Sequence, residues 1–388
     1  MSCSSTSTNG GPCKAVTLPL VAAGPGVLDA GMVTVAASEE VWSEHDASPT
    51  AIDAALRNML AERHAEDPDF VPARVCNLIA IVDRDWRGEI ENRLEKVGRF
   101  NPSRTIVCAV EKGRTTIDAV VALGMSGEHK EGEVAVGAER VELTIGEEHL
   151  RRLETIVDPL IVPDLMTIVW APHGHDAAID ALVKLAGVVL IDTITAPDPG
   201  AAVKRAAWLI DHAYVVDLAW LRSVPWRERL ASTFDPMQWR GSLREITAVT
   251  VRHHPESVVS ATLLVAWLAT RLGWEPAPMK EEDGGLVTRC RAPGRKVRLR
   301  VEPDETMPVA GLAGVALETA SGMKLSLFRG SGGLTATRKA PGGKESSWVV
   351  LGASRGEAGI LGEGIRQALL RDPTYGPALT AACEMLAS

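Results

Sequence analysis

No stretch of this sequence is long and apolar enough to cross a bilayer: the longest apolar helical run, Val258 to Thr270, falls well short of the ~20 residues a span needs. Cysteine is scattered. Cys3, Cys13, Cys76, Cys108, Cys290 and Cys383 form no CxxC and no disulfide-type spacing, which points to a reducing, cytoplasmic setting. Cys76 and Cys108 fall in predicted strands, where a free thiol packs as a small hydrophobe. The opening MSCSSTSTNGGPCK carries one Lys, and the weak apolar run after it is broken by Pro19. A secretory signal has a basic start and a longer run, so residues 1–38 read as a flexible tail.

The catalytic signatures are also missing. Residues 352–356, GASRG, match GxSxG between a predicted strand and a predicted helix. All nine His lie at or before His254, however, so no His follows that Ser as a hydrolase triad requires. No GxGxxG follows a first strand, which leaves a dinucleotide site without its fingerprint. Residues 342–346, GGKES, lack the Ser/Thr after Lys and the first Gly of a phosphate loop, and they sit between two predicted strands; a hairpin turn accounts for them. Gly359-Ile360-Leu361-Gly362 lies within a predicted helix. No repeat of fixed period is present. No catalytic residue, metal site or cofactor is therefore expected.

What is there is an ordinary globular composition, 46% hydrophobic and 23% charged, long enough for two domains. The net charge of −9 argues against a general nucleic-acid binder. It is unevenly spread: Gly285 to Glu345 holds eleven Lys/Arg against five Asp/Glu. That basic stretch suits an anionic ligand, an acidic partner or a solvated sheet face.

Taken in order, the pattern predicts an α/β fold. Ser48 as N-cap with Pro49 at N1 starts a helix to Ala61, with Ile52, Ala55, Leu56, Met59 and Leu60 on one face. Strand Arg74–Val82, helix Arg87–Val97 and strand Thr105–Val110 form a βαβ unit. Ile117–Leu123 and Glu139–Ile145 read as an antiparallel extension, Glu147–Val157 as an amphipathic helix, and Pro159–Pro163 as a linker or long turn. A βαβαβ run follows, from Met166 to Val216, with Asp198-Pro199 as the N-cap and N1 signal for its helix Ala201–His212, predicting a second parallel sheet. Beyond Asp235 come strand Ile246–Arg252, a helix to Leu272 stopped by Gly273, and a meander over Gly285–Trp348. There Val297-Arg298-Leu299-Arg300-Val301 puts Arg on one face and aliphatics on the other. Two helices, Ile360–Leu370 and Pro377–Leu386, close the chain. The expected organisation is a tail at 1–38, an α/β domain at 39–163 and an α/β domain at 164–388. Parallel βαβ units come first, then an antiparallel, Arg-faced sheet with flanking helices.

Two groups of residues stand out. Val215 to Pro236, VVDLAWLRSVPWRERLASTFDP, offers Asp217 as an N-cap and packs Trp220, Arg222, Trp226 and Arg227 around a Pro225 that interrupts or restarts the helix. Either both Trp are core with Arg at the rim, or the stretch anchors a domain or subunit interface, where Trp and Arg are enriched. Arg298, Arg300 and Arg329 would add electrostatic complementarity to an acidic patch. Strand-end loops form the second group, because α/β sheets bind ligands there. Arg104, Trp170, His173, His175 and Asp192 are candidate loop residues. His173-Gly174-His175-Asp176 could hold a divalent metal, but no further ligand cluster completes such a site, and Asp176 as a helix cap explains it as well. The competing function is a sugar-phosphate- or nucleotide-binding α/β enzyme that uses the strand-end loops at His173 to Asp176 and at Asp192.

Several stretches together resemble one family. SPTAIDAALRNML (48–60), RVCNLIAIV (74–82), FNPSRTIVCAV (100–110), DLMTIVWAP (164–172), VVLIDTI (188–194), the 215–236 stretch and RDPTYGPAL (371–379) resemble, in order, segments of the OpcA family, the glucose-6-phosphate dehydrogenase assembly and activator proteins. The 215–236 stretch is the most distinctive. The chain departs from that pattern at Asn101, where the family often shows His, and in lacking a second Trp beside Trp170. The resemblance implies a non-catalytic protein that binds the dehydrogenase and favours its active oligomer. It implies no membrane and no nucleic-acid partner.

Overall fold

A computed structural model describes residues 40–68, 70–98, 101–125, 136–330, 333–351 and 356–387. The expected tail, Cys3, Cys13 and residues 352–355 of the GxSxG match lie outside the described residues.

The first half runs β1 (Glu40–Glu44), α1 (Pro49–Glu66), β2 (Val71–Pro72), β3 (Cys76–Asp83), α2 (Arg87–Gly98), β4 (Ser103–Val110), β5 (Asp118–Met125) and β6 (Val136–Ile145). It continues with α3 (Leu153–Val157), β7 (Thr167–Trp170), α4 (Asp176–Leu182), β8 (Val188–Ile191), α5 (Pro199–Ile210) and β9 (Tyr214–Asp217). The caps are those the sequence predicts: Ser48, Asp198 and Asp217 each accept a hydrogen bond from an N–H in the first turn of α1, α5 and the helix after β9. His175, with φ of 47°, and not Asp176, occupies the N-cap position of α4.

These strands make one nine-stranded sheet in the order β1-β5-β6-β4-β3-β7-β8-β9, with β2 beside β6. From β6 to β9 every neighbouring pair is parallel; β1 and β5 are the antiparallel extension. The expected second parallel sheet is corrected here. β3 pairs with β7 directly, so one sheet runs through both. Asn77, fully buried on β3, bonds to Val162 and Thr167 on either side of Pro163. A buried polar side chain needs such partners, and these bonds fasten the segment to β3.

β3 is buried on both faces, as a covered parallel sheet requires. Ile79 and Ile81 point into a cluster with Ile52 and Leu56 of α1 and Leu160. Leu78, Ala80 and Val82 point the other way, to Ile90 and Leu94 of α2 and to Leu361 and Ile365 from the end of the chain.

The second half runs α6 (Leu218–Arg222), α7 (Val224–Phe234), α8 (Met237–Arg240), β10 (Ile246–His253), α9 (Val258–Leu272), β11 (Lys280–Glu282), β12 (Gly285–Ala292), β13 (Arg295–Pro303), β14 (Leu312–Thr319), β15 (Lys324–Gly330), β16 (Gly333–Lys339), β17 (Glu345–Leu351), α10 (Gly356–Leu370) and α11 (Tyr375–Met385). Pro225 sits in the first turn of α7, so the stretch that begins at Asp217 is two helices hinged at Ser223. β10 to β17 form an eight-stranded sheet, antiparallel except for the β10–β13 pair. α9, nearly all buried and closed by Gly273 in the left-handed conformation, covers its inner face. Residues 340–344 are the hairpin turn between β16 and β17.

Candidate functional site

In the first sheet β3 is the first strand, β4 the second and β6 the third of the parallel set, with β7, β8 and β9 on the other side. That is the order of a dinucleotide-binding sheet, whose ligand crevice lies at the carboxyl ends where the order reverses. A cavity of about 910 Å³ opens there. Its walls include Trp86 and Arg93 from the β3–α2 connection and α2, Trp170 and His173 after β7, Asp192 after β8, Arg222 and Trp226 from α6 and α7, and Arg329 from β15. Trp170, His173, Asp192, Arg222, Trp226 and Arg329, chosen from two separate sequence arguments, are therefore brought together.

The turn that would cradle phosphates does not suit them. β3 runs into Asp83-Arg84-Asp85-Trp86, whose only nearby glycine is Gly88 inside α2. Carboxylates at a helix N-terminus complement its dipole and repel a pyrophosphate. Arg84 is held by Glu111, the acidic residue just past β4, and Glu111 also binds Arg114 at 2.6 Å. Hydrogen bonds and charge from these arginines hold its carboxyl below the usual range.

Charge in the cavity is largely matched. Arg222 donates to both oxygens of Asp192 at 2.9 and 2.8 Å and reaches Glu357 at 2.6 Å; Arg93 binds Glu89 and approaches Glu357 at 3.7 Å. Burial pushes the Asp192 carboxyl up, against the pull of Arg222. His173 Nδ1 accepts the Asp83 N–H at 3.2 Å, so a neutral ring carries its hydrogen on Nε2. Burial, with His175 and Arg93 adding to it, lowers the His173 pKa despite Asp83 and Glu89. Trp86, half exposed, tilts against that ring at 5.6 Å. Arg329 donates to the Leu312 carbonyl at 2.7 Å, and burial lowers its pKa. Aromatic walls with paired carboxylates and guanidinium groups offer hydrogen bonds to a polar, hydroxyl-bearing ligand. Among the described residues no group of three or more His, Cys, Asp or Glu is arranged to hold a metal.

Other candidates fall elsewhere. His175 pairs with Asp83 at 3.0 Å, beside the cavity rather than on its wall. Arg104 lies at the opposite, amino end of β4, where it binds Glu139 at 2.6 Å and the Leu160 carbonyl at 3.0 Å; Arg74 shares the same carboxylate. That buried triad is structural. Arg298 and Arg300 stand on the outer face of the second sheet, paired with Glu282 and Glu302.

Trp220, Trp226 and Arg227 are buried within the chain, only 2%, 4% and 8% exposed. The physical reason is an internal set of partners. Trp220 Nε1 donates to Asp372 at 2.8 Å, and the Arg227 guanidinium lies 3.6 Å over the Trp220 ring while reaching Asp372 at 3.4 Å. Burial alone would raise the Asp372 carboxyl, but hydrogen bonds from Thr374 and Trp220 and the charge of Arg227 hold it below its ordinary value. Tyr375 packs on Trp220 at 5.5 Å and donates to Asp217 at 3.3 Å. Asp217, fully enclosed, also accepts from Thr193 and the Ala219 N–H; burial pushes its pKa up to about 6. Sequence reasoning overlooked Asp372, Glu357 and Trp86. The signal for Asp372 was the RDPTYGPAL segment itself, which packs on the 215–236 stretch.

Residues 95–207 match the family model described as the glucose-6-phosphate dehydrogenase subunit N-terminal domain, and residues 213–379 match the corresponding C-terminal domain. The chain belongs to the OpcA family. Among curated OpcA proteins, described as OxPP cycle proteins, that of Synechococcus elongatus is 26% identical over 241 residues, covering 61% of this chain and 52% of the relative. That of Nostoc punctiforme is 27% identical over 171 residues, covering 43% and 35%. The matches thus span about half or less of the relatives' lengths. A 3-ketoreductase from Actinomadura kijaniata, solved with TDP-benzene and NADP, aligns at 11% identity and a TM-score of 0.44 over 80% of this chain and 95% of that one. The two OpcA models meet between residues 207 and 213, one strand before the end of the parallel sheet.

Proposed function

We propose that this protein binds glucose-6-phosphate dehydrogenase, performs no chemistry of its own and favours the dehydrogenase's active oligomer. The observation that carries this reading is the pair of OpcA domain matches, which together run from residue 95 to 379. The crevice supports it: a dinucleotide-type strand order whose phosphate turn is Asp83-Arg84-Asp85-Trp86, backed by ion pairs among the chain's own side chains. Activation then requires only that the active form be bound better than the inactive one. A tenfold preference is about 1.4 kcal/mol. Mixing the protein with the dehydrogenase of the same organism tests this. Co-elution with a lower KM or a higher rate supports it; two folded proteins that elute apart with unchanged kinetics refute it.

The cavity of about 910 Å³ favours a second reading, a sugar-phosphate or nucleotide ligand at the strand ends. A thermal shift with such compounds that disappears in Asp192→Ala would support it, and no shift with any of them would remove it.

A further inference from the structure

The second sheet has two unlike faces. Inner positions of β10 and β13–β15, such as Val249, Leu299, Leu317 and Leu327, are buried in the core. On the outer face the register lines up Thr250, Ala316, Ser326, Thr337 and Ser347 in a straight row across β10, β14, β15, β16 and β17. None of these five belongs to a core cluster. The next row places Phe328 and Val349 outward, 37% and 58% exposed. The middle of this face is thus a low band that carries its own apolar side chains, with one charge in its second row: Arg252, exposed, paired with Asp304 and lying over Gly314.

Charge is concentrated on one side of the band. Outer positions of β12 and β13 carry Arg289, Arg291, Lys296, Arg298 and Arg300, against Glu302, Glu282 from β11 and Glu275, which pairs with Arg291 at 3.4 Å. The row of Arg298 runs on through Ala248 into a second wing over β14 to β17, where Lys324 and Lys339 stand with Glu318 and Glu345, in balance. A second copy laid face to face would set the basic wing against itself or against the balanced wing, and neither supplies the missing negative charge. A different, acid-rich surface does.

The size also fits. Eight strands at ~4.8 Å spacing, with about seven residues of ~3.3 Å rise each, give a face on the order of 780 Å², close to the ~800 Å² per partner of a standard protein interface. Low side chains let a flat partner surface approach to the ~10 Å of packed sheets.

The geometry points to this outer face as the docking surface for a protein partner presenting a flat, acid-rich surface. The inference rests on the dehydrogenase reading and names the part of the molecule that would carry it. Phe328 and Val349 supply the apolar area toward the β17 edge, and the β12–β13 cations at the other end steer the encounter.

The test measures association of the full chain with the same organism's glucose-6-phosphate dehydrogenase at low and high salt, after thermal unfolding shows each variant folded. Ser326→Glu and Val349→Asp are expected to weaken binding by about tenfold or more, since they place charge on the low, apolar part of the face that the partner would desolvate. Arg298→Glu is expected to slow association several-fold at low salt and to flatten its salt dependence. Arg151→Glu, the same charge change at an exposed position off this sheet, is expected to leave both unchanged. Full affinity in Ser326→Glu and Val349→Asp overturns the docking face and leaves the dehydrogenase reading standing. An unmodified chain that does not bind the dehydrogenase overturns both. A dimer of the chain that Ser326→Glu dissolves, with dehydrogenase affinity retained, makes the face a self-interface and overturns the proposal.

Discussion

Replacing Trp220 by Phe separates a structural role from an interface role. The indole is 2% exposed, its Nε1 donates to the Asp372 carboxylate at 2.8 Å, and the Arg227 guanidinium lies 3.6 Å above its ring. Phe keeps most of the apolar area and removes the donor. A hydrogen bond to a charged acceptor contributes about 1.5–3 kcal/mol. The weaker quadrupole of the smaller ring gives up on the order of 0.5–1 kcal/mol of the cation–π contact. Asp372 keeps Thr374 and Arg227, so its charge is not orphaned and the total sits near the low end, about 2 kcal/mol. Against the 5–15 kcal/mol typical of a whole domain that is a measurable fraction, yet the variant still folds. Urea unfolding followed by circular dichroism should show a lower midpoint with an unchanged slope. Association with the dehydrogenase should be unaltered at temperatures where the variant is folded. A double-mutant cycle with Arg227→Gln should return a coupling of at least about 0.5 kcal/mol. The opposite pattern, stability within about 0.5 kcal/mol of the unmodified chain and binding weakened by 2 kcal/mol or more, is what an interface hot spot gives, and it would refute the core assignment.

Three further outcomes follow from the same packing. Asp217, raised to about 6 by burial, favours its protonated form in the folded state. Its stabilising contribution is complete below pH ~4 and is lost as pH rises through about 6, by up to about 3 kcal/mol, so unfolding midpoints of the native chain and Asp217→Asn should diverge between pH 4 and 7 and run parallel above. Glu139→Gln leaves buried Arg104 facing a neutral group, and should lower stability by about 3 kcal/mol in denaturant titration without touching ligand or partner binding. Gly146→Ala sets a Cβ 1.7 Å from the Arg114 carbonyl oxygen and should unfold the β6 end of the sheet, whereas Gly88→Ala, open on α2, should raise stability by about 0.5–1 kcal/mol; thermal unfolding of the pair checks both.

What was legible in the sequence was local. Ser48-Pro49, Asp198-Pro199, Asp217 and Gly273 mark helix ends because capping chemistry is set by neighbours in the chain. β3 announces a covered sheet because every one of its residues before Asp83 is buried. Strand order is not local. Pro159–Pro163 has the composition of a linker or long turn, and only the pairing of β3 with β7 and the bonds of Asn77 show it fastened to the sheet. The cavity is a mixed case. Trp170, His173 and Asp192 could be placed at strand ends from pattern alone, but that Arg222 would close on Asp192 depended on α6 folding back over β8.

Trp220, Trp226 and Arg227 show why composition could not decide between core and interface. Both settings demand the same thing of a Trp and an Arg: a desolvated pocket, an acceptor for the indole N–H and a counter-charge for the guanidinium. The residues that supply these can stand on another chain or far along the same one. Here Asp372, 152 residues past Trp220, supplies both. On the outer face of the second sheet the balance is reversed, since Arg289, Arg291, Lys296, Arg298 and Arg300 outnumber the outer-face carboxylates beside them. An Arg/Trp cluster that finds its acid within the chain belongs to the fold, whereas a basic wing short of acids is where a partner has charge to contribute.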